Sequence, residues 1–197
     1  MERILIFIKH HLGFIWRIIE EVNGLMFMTL FGKRLQRELP KVFVDAALSP
    51  YSFRELKLDD MRSLSYLLAS QPASDLEYFK PHEFDLESLI KQKTNRAFLM
   101  MGVWSSQKLV GYFFLRFFMN KKCFVGRVID KEYRGMGIGQ VMNQIMYETA
   151  WRIGFRCMST ISRKNTAVMR AHEKNRSMVI LKNLPNDYLL VEFIKRS

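Results

Sequence analysis

Hydrophobic positions fall into two regimes along this chain. Over residues 1–38 a dense apolar set (Ile4 to Ile8, Leu12, Phe14 to Trp16, Ile18, Ile19, Val22, Leu25 to Met28) is relieved by polar or small residues at Arg3, His10, Gly13, Arg17, Glu20, Glu21 and Gly24. Those relieving positions form one narrow stripe of a helix, so the apolar face is wide and must be buried against something. Asn23-Gly24 predicts a break of this helix into two pieces, and Pro40 and Ser49-Pro50 predict a linker. From Tyr51 a regular alternation takes over. Phe53–Leu58 reads as a strand, and Asp59 or Asp60 as the cap of a helix through Leu68. Gln71–Asp85 reads as a polar loop, followed by a short helix from Leu86 to Lys91. Strands are predicted at Ala97–Trp104, Leu109–Phe118 and Cys123–Ile129, the first two joined by a turn at Ser105-Ser106-Gln107. A helix follows over Gln140–Ile153, with Val141, Ile145, Met146, Thr149 and Ile153 at helical spacing. Then come a strand at Cys157–Ile161, a helix at Thr166–Lys174, and strands at Met178–Leu181 and Leu189–Ile194.

The most informative stretch is Val128 to Gln140, where a strand ends and a glycine-punctuated loop runs into the long helix. Gly135, Gly137 and Gly139 alternate, so backbone can approach a ligand there with no Cβ in the way. The first N–H groups of a helix, at the positive end of its dipole, favour phosphate oxygens. The spacing is neither the dinucleotide fingerprint nor a Walker loop.

Length changes the picture little: 197 residues suit one domain with an appendage and give a sizeable core. Cys123 and Cys157 lie in apolar runs without metal-type spacing, which reads as buried thiols, and no metal is expected. Charge changes it more. The chain carries +12, and residues 120–197 hold 15 Lys and Arg against 6 Asp and Glu, so the excess sits with the glycine loop. That suits a phosphate-rich ligand. No recognisable nucleic-acid motif accompanies the charge, so nucleic acid is not expected.

The glycine loop resembles motif A of the GNAT superfamily of N-acetyltransferases, whose pattern Arg/Gln-x-x-Gly-x-Gly/Ala is filled by Arg134, Gly137 and Gly139. The order of elements over 51–194 is similar to that family as well. The resemblance implies a mixed α/β fold, a central mixed sheet flanked by helices, over residues 51–197; residues 1–45 lie outside it, as an N-terminal amphipathic helical extension. It also implies acetyl-CoA as cosubstrate. Carried over by position, the coenzyme pyrophosphate would rest on Arg134, Gly135, Met136, Gly137, Ile138, Gly139 and Gln140, and its pantetheine arm would lie beside Val128 and Ile129. Asn165 matches an asparagine that holds the arm, although helix capping alone also explains it. His172 stands where the family has the tyrosine that reprotonates the leaving thiolate, and an imidazole suits that role. Arg176-Ser177 stand where Gly-Phe is usual. His82 and Glu83 lie in the loop that lines the family's acceptor pocket, as candidates for base or substrate ligand.

The implied activity is acyl transfer to a primary amine, for instance an amino sugar or sugar nucleotide of a surface-glycan pathway. A degenerate acyl-CoA-binding domain acting as sensor or scaffold is the alternative. The implied location is cytoplasmic. No window in residues 1–38 reaches the ~20 apolar residues of a transmembrane span. The segment therefore either lies at a membrane interface, with Lys33, Arg34, Arg37 and Lys41 beside it, or packs on the domain or a second subunit as a homodimer contact.

Overall fold

The computed structural model describes residues 13–173, 175 and 177–196, with the side chains of Gly13, Trp16, His172 and Glu173 outside the description. Its centre is a seven-stranded mixed sheet in the order β1-β2-β3-β4-β5-β7-β6. The strands are β1 (Tyr51–Glu55), β2 (Phe98–Ser105), β3 (Lys108–Phe117), β4 (Lys122–Ile129), β5 (Arg156–Ser162), β6 (Met178–Leu184) and β7 (Tyr188–Phe193). All neighbours pair antiparallel except β4 and β5.

Helices cover both faces, which is why β2 and β3 read as almost unbroken apolar runs. On one face, α3 (Met61–Ala69) and α5 (Leu86–Thr94) bury Leu64, Leu67, Leu68 and Leu89 against Phe98, Met100, Tyr112 and Phe114. On the other, α6 (Ile138–Arg152) sets Met142, Ile145 and Met146 on Val103, Phe113, Val125 and Cys157. A short α4 (Ala73–Leu76) forms inside the stretch expected to be loop, and α7 (Thr166–Glu173) follows β5. Cys123 and Cys157 sit opposite each other at the β4–β5 pairing as buried free thiols.

The first helices depart from expectation. Helix α1 (Gly13–Phe27) passes straight through Asn23-Gly24, and a π-turn at Met28–Gly32 joins it to α2 (Lys33–Asp45) without leaving helical dihedrals. Asn23 does not break the helix because its side chain is used elsewhere. It donates to the Phe117 carbonyl at 2.9 Å and accepts from the Met119 N–H at 3.1 Å, while Gly24 lets the helix close on Arg96. Pro40 lies within α2 and not in the linker, on its exposed side, where the missing N–H removes one rung only.

The π-turn has a packing reason. Eight residues of regular α-helix would leave Leu35 about 80° away from the face that carries Phe27. The wider turn takes up that excess, so Phe27, Leu35, Leu39 and Val42 all enter the core under α6. Phe27 stacks on Phe117 at 4.4 Å between ring centroids, and Glu20 pairs with Arg116 at 2.6 Å.

Candidate active site

Strands β4 and β5 pair only at Lys122–Arg156, Cys123–Cys157 and Phe124–Met158. The Ser159 hydroxyl then donates to the Val125 carbonyl at 3.1 Å, and beyond that bond the strands part. Between them opens a cleft of about 370 Å³, lined by Val125 to Arg127, Asn143, Tyr147, Ser159 to Ser162 and Asn165. The Asp130 N–H bonds to Val110 on β3, so alternation along the strand directs the N–H groups of Arg127 and Ile129 to the cleft side, where no strand meets them. Val128, by the same alternation, turns its backbone to β3, and its side chain enters the core under α3.

The strand leads into Asp130, which is buried, caps a short 3₁₀ turn through the Glu132 N–H and pairs with Lys108 at 3.0 Å. Gly135 and Gly137 both adopt φ of +80°, which side-chain-bearing residues avoid, and Gly137 caps α6 in that left-handed conformation. Arg134 holds the loop in place. It donates to the Ile129 carbonyl at 3.2 Å and to Asp75 at 2.8 Å, which ties α4 to the loop. Ile138 and Gly139 start the helix and carry first-turn N–H groups, while the Gln140 N–H is bonded to the Gly137 carbonyl at 3.0 Å. Met136 is exposed beside Tyr51, whose hydroxyl lies 3.0 Å from its sulfur.

Three cleft residues, Arg127, Asn143 and Tyr147, are not expected from the sequence. Arg127 stands on the α6-facing side of β4, in line with Cys123, Val125 and Ile129, all apolar. Its Nε donates to Asn143 on α6 at 2.8 Å, and its Nη1 lies so near Gly139 that a Cβ there would come within 3.1 Å. Burial pulls this guanidinium below its ordinary pKa range, and among the described residues no carboxylate pairs with it. A lone arginine in an apolar alternation was the signal that could have found it. Tyr147, also on α6, stacks on Phe193 at 4.2 Å and accepts a long bond from Asn175 at 3.4 Å. Burial raises its pKa far above the ordinary value, so it holds its proton.

Asn165 lines the cleft and caps α7, accepting from the Val168 N–H at 3.1 Å. His172 belongs to α7, and its side chain lies outside the described residues, as do Lys174 and Arg176. His82 and Glu83 do not line this cleft. They border a separate groove with Arg17, Glu20 and Glu21 of α1. Both ring nitrogens of His82 are engaged, one at 2.7 Å from the Glu83 carbonyl and one at 2.8 Å from the Tyr112 hydroxyl, and burial lowers its pKa. The cleft rim is formed instead by Asp75, Glu77, Tyr78, Lys80 and Tyr188. Phe79 packs on Tyr112 and Phe114, and Gly126 leaves room for that contact, since a Cβ would fall 2.7 Å from the Phe114 ring.

A mixed sheet that splits after three parallel pairs, with a glycine-capped helix at the mouth of the split, defines the architecture of acyl-CoA N-acyltransferases. The sequence pattern of the Acetyltransferase (GNAT) family matches residues 58–177, and the chain belongs to that family. Solved structures agree on the fold. A GNAT-family acetyltransferase from Streptococcus pneumoniae superposes with a TM-score of 0.57 at 18% identity, covering 72% of this chain and 98% of that one. The PaiA N-acetyltransferase of Thermoplasma acidophilum, solved with coenzyme A, gives 0.59 at 16% identity, covering 72% and 97%. A spermidine N-acetyltransferase chimera from Vibrio cholerae and hSSAT gives 0.56 at 18% identity, covering 73% and 93%. No curated protein matches the chain in sequence.

Proposed function

We propose that this chain transfers an acetyl group from acetyl-CoA to a primary amine. The observation that carries the reading is the free edge of β4, open to the cleft and continuous with the glycine-capped start of α6. An extended pantetheine arm can pair with such an edge as a strand would, while the phosphates meet the first-turn N–H groups of α6 and the Arg127 guanidinium. The amine nitrogen adds to the thioester carbonyl. The N–H of Arg127 or Ile129 donates to the oxyanion that forms, and collapse breaks the carbon–sulfur bond. The leaving thiolate takes its proton from a cleft-side acid, and the amine loses one to a base or an ordered water.

Two groups compete for the acid role: His172 by resemblance and Tyr147 by its place in the cleft. His172→Phe and Tyr147→Phe separate them, since the acid's loss lowers kcat about 10²–10⁴-fold and the other's much less. For the acceptor, Glu77 supplies a carboxylate at the rim, and its bond to Tyr78 raises the tyrosine's pKa. Tyr78 and Tyr188 give flat faces on which a sugar or base can stack, and Lys80 gives a cation for phosphate. This set supports an amino sugar on a nucleotide carrier as the acceptor.

Thermal unfolding of wild type and Gly137→Glu with acetyl-CoA tests the coenzyme site. A ligand at a hundred times its Kd adds about 2.7 kcal/mol, so wild type should shift and the folded variant should not. If neither shifts, the coenzyme reading fails. An acceptor panel of nucleotide amino sugars, spermidine and peptides then tests the second half. Turnover confined to polyamine or peptide would remove the amino-sugar acceptor and leave acetyl transfer standing.

A further inference from the structure

The helical rod Gly13–Asp45 turns its inner side to the domain through Glu20, Asn23, Gly24 and Phe27, then Leu35, Leu39 and Val42. Its outer side is unusual. Phe14, Ile15, Ile18, Val22, Leu25, Met26 and Leu30 are all exposed, with Phe14 at 68%, Leu25 at 56% and Leu30 at 60%. At helical spacing they form one stripe opposite Phe27. Because the π-turn keeps the buried faces of α1 and α2 in phase, it also keeps the outer faces in phase. The exposed stripe therefore continues into Lys33, Arg37 and Lys41, while the Arg34 guanidinium reaches back toward Gly154.

We propose that this outer face lies flat on an anionic lipid surface. Seven large apolar side chains on one stripe exceed the scattered exposure of a soluble surface. The continuation of the stripe along α2 is basic: three cations, of which Arg37 and Lys41 share Glu38 at 2.7 and 3.4 Å. An apolar stripe that enters the acyl boundary and a cationic run that meets phosphate headgroups fit one partner, a leaflet containing acidic lipid. Among the described residues no helix is long and apolar enough to cross a membrane, so the contact is along the surface. A second copy of the chain is the competing occupant. It satisfies the apolar stripe, but among the described residues of α1 only Glu21 is an exposed carboxylate to set against the basic run of α2.

The test uses the full chain and sedimentation with two vesicle types, phosphatidylcholine alone and phosphatidylcholine mixed with phosphatidylglycerol. The variants are Ile18→Glu with Leu25→Glu, and Lys33→Glu with Arg37→Glu. All four positions are exposed, so folding should be retained, and unchanged circular dichroism and Tm verify it. The expected result is capture by the anionic vesicles only, weakening with salt and falling about tenfold or more in each double variant. Three results overturn the proposal: no capture, capture undiminished in both variants, or a lipid-free dimer by sedimentation velocity that Ile18→Glu with Leu25→Glu turns into monomers.

Discussion

Arg127 is the residue whose environment asks most for an explanation. A guanidinium set in an apolar row, with one bond to Asn143 and no described carboxylate, is a cost to the fold that a bound anion can offset. Arg127→Met should therefore have two effects. Stability should stay level or rise, because the buried cation is gone. Affinity for coenzyme A should fall about 10–100-fold, the worth of one charge-assisted hydrogen bond. Calorimetric titration beside a denaturant curve measures both, and an arginine that is merely structural would give the reverse pattern. His82 makes the opposite case. Its folded pKa is depressed from 6.5 by burial, so the unfolded chain takes up the proton first. That contribution to stability is complete above the unfolded value and is lost as pH falls below it. Urea midpoints should therefore drop below about pH 6.5 in wild type. In His82→Phe this component of the pH slope should vanish, at a cost of about 1–3 kcal/mol for the stranded Tyr112 hydroxyl. Residue types alone made His82 look chemical and Arg127 look ordinary. Neighbours place Arg127 in the cleft and His82 outside it, and neighbours are not written in residue type.

At the scale of elements, most strands and α6 were legible, since their apolar periodicity is strong and turn residues bound them. The glycine loop was legible because its local geometry is set within a few residues. Gly135 and Gly137 need their positive φ whatever packs around them. What failed was punctuation. Asn23-Gly24 and Pro40 are ordinary helix-ending signals, yet the rod runs through both. Asn23 survives mid-helix because it satisfies two backbone groups at the β3–β4 hairpin. Asn23→Leu should consequently lower stability by about 1–3 kcal/mol, measured by urea unfolding, although leucine is the better helix former. A gain in stability would mean that the hairpin finds other partners. The split of β4 from β5 also had no sequence signal. Cys123–Ile129 and Cys157–Ile161 each read as one uninterrupted strand, and only the pairing partner decides where a ladder ends.

For the whole molecule, the placement of the rod decides what a truncation does. Phe27, Leu35, Leu39 and Val42 share one core with α6 and the sheet, so removing residues 1–45 uncovers Phe117 and Phe155. The shortened chain should aggregate or melt well below the full one, read by light scattering and calorimetry, whereas a rod that is a mere tether would leave the melt unchanged. The sequence by itself determined the mixed α/β class, the family, and the glycine-capped turn into α6, because each depends on contacts or dihedrals local in the chain. Tertiary structure decided which strand edge stays open, which cation is buried in the cleft without a carboxylate among the described residues, and which side of the first helices faces out. Those three depend on partners far away in sequence. Asn23 meets Phe117, Arg127 meets Asn143, and Phe27 meets Phe155. Such pairings are settled only when the sheet and helices close on one another.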